Sequence, residues 1–356
     1  MDRARKLIHA GEKEIYPYDG SGVTAAILDT GIAMHPDLAG RVIGFKDFVG
    51  NSRLPYDDCG HGTHVAGCLC GDGTCSQGRL AGVAKGCRVL SGKVLDEKGD
   101  GTISGMIEGI DWVLKNRELY QVKILNISVS MGAAPAEALP TERIPTERIP
   151  VEEGNVGNPA AGRAAAGKTE KEALFFRLIA KLEEAWREGL FVVVAAGNAG
   201  PAAGSLSRLG EGNSVVTVGC HDGAGSRERP DSCEACSGRG PSGSVLKKPD
   251  LVAPGTGIVS CSAFFRRTAR GCRDAYVEKS GTSMSTPLVA GAAALCFQKY
   301  PRYTNEQVKR RILWAASDLG EPWSKQGWGM LNVARMLGYE DESFFHDSFN
   351  GGSVIY

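Results

Sequence analysis

The strongest constraint on the fold of this chain is a short apolar run, Val23 to Leu28, that stops abruptly at Asp29-Thr30-Gly31. A run this brief and continuous, closed by turn-forming residues, reads as a strand buried on both faces. Strands of that kind belong to parallel sheets covered by helices on either side. Similar runs recur at Arg88 to Leu95, Val122 to Val129, Leu190 to Ala196, Val215 to Gly219 and Leu251 to Val252. Helical patterns lie among them, at His64 to Leu69, Ser104 to Asn116, Glu170 to Glu188 and Ser285 to Lys299. The alternation predicts an α/β fold: a doubly wound, mostly parallel sheet flanked by helices. Such sheets place their sites beyond the carboxyl ends of the strands, so Asp29 stands where a functional side chain is expected.

The 356 residues would allow two domains, but large α/β sheets run this long as one unit, and a single domain is expected. A hydrophobic content of 42% supplies a packed core and argues against a disordered chain. The 41 basic and 41 acidic side chains cancel, which argues against a dedicated nucleic-acid or anionic-membrane binder. The longest apolar stretches, Phe191 to Ala196 and Leu288 to Phe297, fall short of the ~20 residues of a membrane span. The first residues carry basic groups with no apolar segment after them, so no secretory signal is read. An odd count of 11 cysteines then favours reduced thiols and a cytoplasmic setting.

Residues 133–168 interrupt the pattern with Ala, Gly, Pro and Glu and a tandem pentad, Pro140 to Ile144 and Pro145 to Ile149. They are expected to form a mobile surface insertion. Residues 1–20 read as an N-terminal arm or short propeptide, 21–337 as the main domain, and 338–356 as an acidic tail. Five cations, Arg266, Arg267, Arg270, Arg273 and Lys279, precede the last helical pattern.

Three separated strings place a carboxylate, an imidazole or a hydroxyl among small residues: Ile27-Leu28-Asp29-Thr30-Gly31, Gly60-His61-Gly62-Thr63-His64-Val65-Ala66-Gly67 and Ser280-Gly281-Thr282-Ser283-Met284-Ser285-Thr286-Pro287. A hydroxyl nucleophile needs a base in hydrogen-bond reach, and the base needs a carboxylate to fix its tautomer. Asp29, His61 and Ser283 can supply those parts. Ser280, Thr282, Ser285 and Thr286 compete with Ser283 as hydroxyls, and each could instead cap a helix opening before Pro287.

In this order and with these surroundings the chain resembles the subtilisin-like serine peptidases, the subtilases, from about Gly20 to about Leu337. Leu80-Ala-Gly-Val-Ala, Lys93-Val-Leu-Asp, Ala195-Ala-Gly-Asn, Lys248-Pro-Asp-Leu-Val-Ala-Pro-Gly and Gln326-Gly-Trp-Gly-Met-Leu-Asn match as well. The resemblance implies a serine endopeptidase in which Ser283 attacks, His61 is the base, Asp29 orients it and Asn198 stabilises the oxyanion. It gives His64 a packing role. It further implies that extended peptide or protein substrates are held between Gly99-Asp100-Gly101 and Ser130-Met131-Gly132. Asp100 would then favour basic or polar groups in the fourth subsite.

The chemistry it implies requires no cofactor. A structural calcium is expected at Asp37, with Asp72, Thr74 and Gln77 of the Gly71 to Gly78 loop as oxygen donors. Cys233-Glu-Ala-Cys236, with Cys220 upstream, has a spacing open to zinc or to a redox pair. Cys59 lies two residues before His61. Ile15-Tyr16-Pro17-Tyr18 is similar to the cleft-blocking motif of intracellular subtilases, with ordinary packing as its other reading. A catalytically silent subtilase fold that binds a partner is the alternative class, and it predicts loss of a triad residue. A nucleotide-binding protein would need a glycine-rich loop after the first strand, which Asp29-Thr30-Gly31 does not supply.

Overall fold

The strand that ends at Asp29 is buried along its whole length, and the rest of the molecule is arranged around it. The computed structural model describes residues 1–130, 159–223, 232–241, 247–269 and 271–338, with side chains of the long central helix described from residue 170. In chain order the elements are α1 (Asp2–Leu7), α2 (Glu12–Ile15), β1 (Thr24–Asp29), β2 (Val42–Asp47), α3 (His61–Cys70), β3 (Arg88–Lys93), α4 (Ile103–Tyr120) and β4 (Val122–Ile127). They continue with α5 (Pro159–Arg187), β5 (Phe191–Ala195), β6 (Val216–Cys220), α6 (Cys233–Cys236), β7 (Leu251–Ala253), β8 (Ile258–Cys261), β9 (Arg266–Thr268), β10 (Gly271–Arg273) and β11 (Tyr276–Lys279). Helices α7 (Thr282–Lys299), α8 (Asn305–Ala315), α9 (Trp323–Gln326) and α10 (Val333–Gly338) close the described chain.

Seven strands form one parallel sheet in the order β2-β3-β1-β4-β5-β6-β7. All six expected strands are in it. The seventh, β2, is an edge strand: with a neighbour on one side only, its residues stay partly exposed, and Gly44 and Lys46 break up the apolar signal. The small antiparallel pairs β8–β11 and β9–β10 lie outside this sheet.

Helices α3 and α7 pack together and against strands β1 and β4 to β7, while α4 and α5 pack together against the sheet. Helix α7 is buried from Met284 to Phe297, and its alanines and Gly291 let it approach its neighbours closely. It begins at Thr282, three residues before the expected Ser285, and Pro287 lies inside it. Pro287 has no N–H to give the Ser283 carbonyl four residues earlier, so α7 runs through it with that hydrogen bond missing.

The insertion boundary also changes. Pro159 to Lys168 belong to α5, because an alanine-rich segment needs no buried periodic face to favour helix. Residues 133–158, with the tandem pentad, and 339–356, most of the acidic tail, lie outside the described residues. The N-terminal arm packs inward: Ile8, Ala10 and Ile15 are core residues, and the Ile8 carbonyl accepts from the Val333 N–H at 2.8 Å. Tyr16 is 82% exposed, so the Ile15-Tyr16-Pro17-Tyr18 string contributes Ile15 and part of Tyr18 to packing. Among the described residues no helix is long and apolar enough to cross a membrane.

Candidate active site

Sheet order sets the site. Strand β1 lies between β3 and β4, so Asp29, its last residue, is flanked by the segments leaving those two strands at the same carboxyl edge. One segment carries Gly99, Asp100 and Gly101, with Gly99 half-buried and the other two exposed. The other carries Ser130, also exposed; Met131 and Gly132 lie outside the described residues. The next strand over, β5, leads into Asn198.

His61 is the first residue of α3, and that helix is fixed to the turn after β1 by a buried carboxylate that the motif strings do not contain. Asp57 accepts hydrogen bonds from the N–H groups of Gly60 (2.7 Å), Cys59 (3.2 Å) and Thr63 (2.8 Å) and from the Thr63 hydroxyl (2.6 Å). It thereby satisfies donors that a helix start leaves unpaired. The Thr30 hydroxyl donates to Asp57 at 2.8 Å and accepts from the Gly62 N–H at 2.9 Å, tying helix to turn. Gly62 permits the approach, because a Cβ there would lie 2.2 Å from the Gly31 carbonyl oxygen. Below the turn, the buried Lys93 ammonium donates to the carbonyls of Thr30 (2.7 Å) and Leu95 (2.8 Å) and to Asp58 (2.6 Å). The sequence signal for this support was the Asp57-Asp58 pair just before Gly60-His61.

The result is a 2.7 Å hydrogen bond between His61 Nδ1 and Asp29 Oδ1. Asp29 Oδ1 also accepts from the Thr30 N–H at 2.7 Å, while Oδ2 is buried without a hydrogen-bond partner among the described residues. With Nδ1–H donating to the carboxylate, Nε2 is left as the acceptor facing outward. Burial disfavours the imidazolium, but the charge and hydrogen bond of Asp29 outweigh it and raise the His61 pKa above the ordinary histidine value. His64, one turn on, behaves oppositely. It is fully buried, Nε2 lies 2.9 Å from the Ile258 carbonyl, and burial pushes its pKa down to about 3. It is a packing residue.

The hydroxyls around Ser283 are now distinguishable. Ser280 Oγ accepts from the Gly257 N–H (2.9 Å), Thr282 Oγ1 donates to Asn198 Oδ1 (3.2 Å), Ser285 Oγ donates to the Ala253 carbonyl (2.9 Å) and Thr286 Oγ1 to the Thr282 carbonyl (2.8 Å). Ser283, half-buried at the start of α7, has no such commitment among the described residues. No hydrogen bond joins Ser283 to His61 here; such bonds are often long in a substrate-free site and tighten when substrate binds. Asn198 is exposed, and its Oδ1 accepts from the N–H of Thr282 at 3.0 Å, next to Ser283. That anchors the oxygen and leaves the amide NH₂ to donate.

The carboxylates expected for calcium hold protein partners. Asp37 is fully buried, but its Oδ1 accepts from the Cys75 N–H at 2.8 Å and its Oδ2 from the Tyr276 hydroxyl at 2.6 Å. Asp72 instead accepts from the Thr74 N–H at 2.8 Å and faces Arg41 at 3.7 Å. The groups that gather at Asp37 are His35 and Cys75, a nitrogen and a sulfur, which do not suit a hard cation. A second cluster, His221, Glu234 and Glu321, already holds a cation: Lys325 Nζ lies 2.9 Å from Glu234 and 3.1 Å from Glu321.

A family model described as the subtilase family matches residues 20–330. The chain belongs to the subtilase family. Serine protease AprX of Bacillus subtilis (strain 168) is 36% identical over 321 residues, which are 88% of this chain and 65% of AprX. This chain therefore spans slightly less than two thirds of AprX. Subtilisin of Bacillus pumilus is 34% identical over 321 residues, covering 89% of this chain and 91% of that one. A cold adapted subtilisin-like serine proteinase has a solved structure that aligns with a TM-score of 0.60 at 29% identity, over 89% of each chain. Sphericase aligns with a TM-score of 0.66 at 24% identity, over 89% of this chain and 93% of its own, a likeness of fold. The subtilase fold thus agrees with the single-domain α/β architecture of the seven-stranded sheet.

Proposed function

We propose that this subtilase is a serine endopeptidase that cleaves extended peptides and proteins through an acyl-enzyme. The observation that carries the reading is the Asp29–His61 hydrogen bond, set on a helix that packs against the one bearing Ser283. Ser283 Oγ attacks the scissile carbonyl while His61 Nε2 takes its proton, and Asp29 stabilises the imidazolium that results. His61 returns the proton to the leaving amine, and water then hydrolyses the ester by the same route in reverse. Gly99-Asp100-Gly101 and Ser130-Met131-Gly132 are the edges between which a substrate strand would pair, giving main-chain contact that is indifferent to sequence. Eleven cysteines, all free thiols, support a reducing, cytoplasmic setting. The test is a fluorophosphonate probe followed by mass mapping: an adduct on Ser283 of the folded chain upholds the reading, and its absence removes it.

In this reading the Asn198 amide and the Ser283 N–H hold the oxyanion. Asn198→Ala is expected to lower kcat by about 10²- to 10³-fold with little change in KM, the range known for loss of the corresponding donor in subtilisin. Steady-state kinetics on a peptide substrate measures it. A fall in kcat/KM carried wholly by KM would place Asn198 in ground-state binding instead.

Because Asp37 is already satisfied by protein donors, the fold is expected to be indifferent to calcium. Thermal unfolding with a chelator and with millimolar calcium should give the same midpoint. A native-state site filled at 100 times its dissociation constant would instead add about 2.7 kcal/mol of stability, a shift readily seen.

A further inference from the structure

The Cys233-Glu-Ala-Cys236 motif takes no part in the site described above, yet it lies against the loop that carries Asn198. Helix α6 is a single turn started by Ser232, whose side chain accepts from the Ala235 N–H at 3.2 Å. A spacing of three residues puts both thiols on one side of that turn. The Cys233 thiol has those of Cys236 and of Cys220, the last residue of β6, as its neighbours. Cys220 and Cys233 are buried, whereas Cys236 is half-exposed. An accessible thiol thus stands beside a buried partner. The three sulfurs are not among the clusters of described residues that converge tightly enough to hold a metal, and a zinc site would also need a fourth ligand.

The thiols also differ in character. As a thiol, Cys236 donates to the Cys233 carbonyl at 3.3 Å; the Cys233 thiol donates in turn to Cys236 and draws its pKa down to about 6. That direction makes Cys236, the more exposed of the two, the nucleophilic thiol of the pair. Its two thiol neighbours and burial raise Cys233 and keep it protonated.

Backbone bonds join this turn to the Asn198 loop on both sides. The Gly200 N–H donates to the Cys236 carbonyl at 2.9 Å, and the Gly238 N–H to the Gly197 carbonyl at 2.8 Å. There is no slack between them: a Cβ on Gly200 would lie 2.0 Å from the Ser237 oxygen, and one on Gly238 would lie 2.2 Å from the Ala196 oxygen. A disulfide holds its sulfurs at about 2.05 Å with a set dihedral angle, and in the proposal below the change from two thiols to that geometry is taken up in the α6 turn. Through the Cys236 carbonyl that change reaches the Gly197–Gly200 loop.

We propose that Cys233 and Cys236 form a redox-active dithiol whose oxidation to a disulfide displaces the Asn198 loop and lowers turnover. The oxidant is a low-molecular-weight disulfide of the glutathione class. The Cys236 thiolate attacks one of its sulfurs and expels a thiolate. Cys233 gives up its proton, attacks Cys236 Sγ in the mixed disulfide and expels the second thiolate. Two protein thiols become one disulfide while the small disulfide is reduced to two thiols, which take up the protons released by Cys233 and Cys236.

The full chain is equilibrated in reduced and in oxidised glutathione buffers, alkylated, digested and mapped by mass, and kcat and KM are measured in parallel. In the oxidised buffer the segment holding Cys233 and Cys236 should lose both alkylation sites and two hydrogens. Turnover should fall at least about tenfold at unchanged KM, as expected for a displaced oxyanion donor, and recover with a dithiol reductant. Cys236→Ser, or Cys236→Ala should serine perturb folding, should be active and unaffected by the oxidised buffer. A Cys220–Cys233 pair, no pair at all, or a pair that leaves kcat unchanged would overturn the proposal. So would inhibition that persists in the Cys236 variants, the result expected if Cys59 beside His61 were the sensitive thiol. Mass reads the disulfide itself, so its formation stands or falls separately from the peptidase reading.

Discussion

Ser283→Ala is expected to lower kcat by about 10⁶-fold while the protein still folds and still binds substrate. That is the size of loss seen when the nucleophile of subtilisin is removed, because the triad works as a unit and what remains comes from the oxyanion hole and binding. The choice of residue rests on the hydroxyl census at the start of α7. Ser280, Thr282, Ser285 and Thr286 each hold a backbone or side-chain partner between 2.8 and 3.2 Å, so none can be spent on attack without dismantling local structure. Removing one of those is a stability change; removing Ser283 Oγ is a chemical one. Its alanine variant should therefore melt within about 0.5 kcal/mol of the parent, as uncommitted hydroxyls usually allow. The fluorophosphonate adduct should vanish in the same variant. A double variant with His61→Ala should be no slower than Ser283→Ala alone, and a further large fall would mean that the two residues do not act together.

The sequence carried the sheet because most of its strand positions are buried on both faces and so are largely apolar; Val192, Val193 and Val194 in β5 are an example. It did not carry β2, where Gly44 and Lys46 are tolerated because one edge faces solvent. Helix starts were read three residues late in both motif helices. At α7 Pro287 marks a first turn in the sequence, whereas the N-cap is Gly281, six residues earlier. At α3 the start is set by Asp57, most of whose contacts are with the backbone N–H groups of Cys59, Gly60 and Thr63, which a pattern of side chains does not display. The same limit holds at Asp37. It sits where the family resemblance puts a calcium ligand, and its second oxygen accepts from the hydroxyl of Tyr276, 239 positions away, a partner that no local pattern reveals.

The second large effect concerns Asp29. Asp29→Asn is expected to reduce kcat by about 10⁴-fold near neutral pH, since a neutral amide neither fixes the His61 tautomer nor stabilises the imidazolium. The structure adds a sign to this. His61 must be neutral to accept the serine proton, so activity is present above its pKa and is lost as pH falls through it. In the parent, burial pulls that pKa down but Asp29 pulls it up further, and the acid limb of kcat/KM should lie above the ordinary histidine value of about 6.5. With the carboxylate gone, burial is left unopposed and the acid limb should move below that value. Stability follows the same linkage. A raised histidine pKa contributes stability below the unfolded value and loses it as pH rises through the folded one. The melting difference between parent and Asp29→Asn should thus be larger at pH 5 than at pH 9. The asparagine oxygen can take the place of Oδ1, which accepts from both His61 Nδ1 and the Thr30 N–H, but its NH₂ then lies in the buried pocket where Oδ2 has no partner among the described residues. A variant whose rate falls but whose acid limb stays in place would show that Asp29 positions His61 without tuning it.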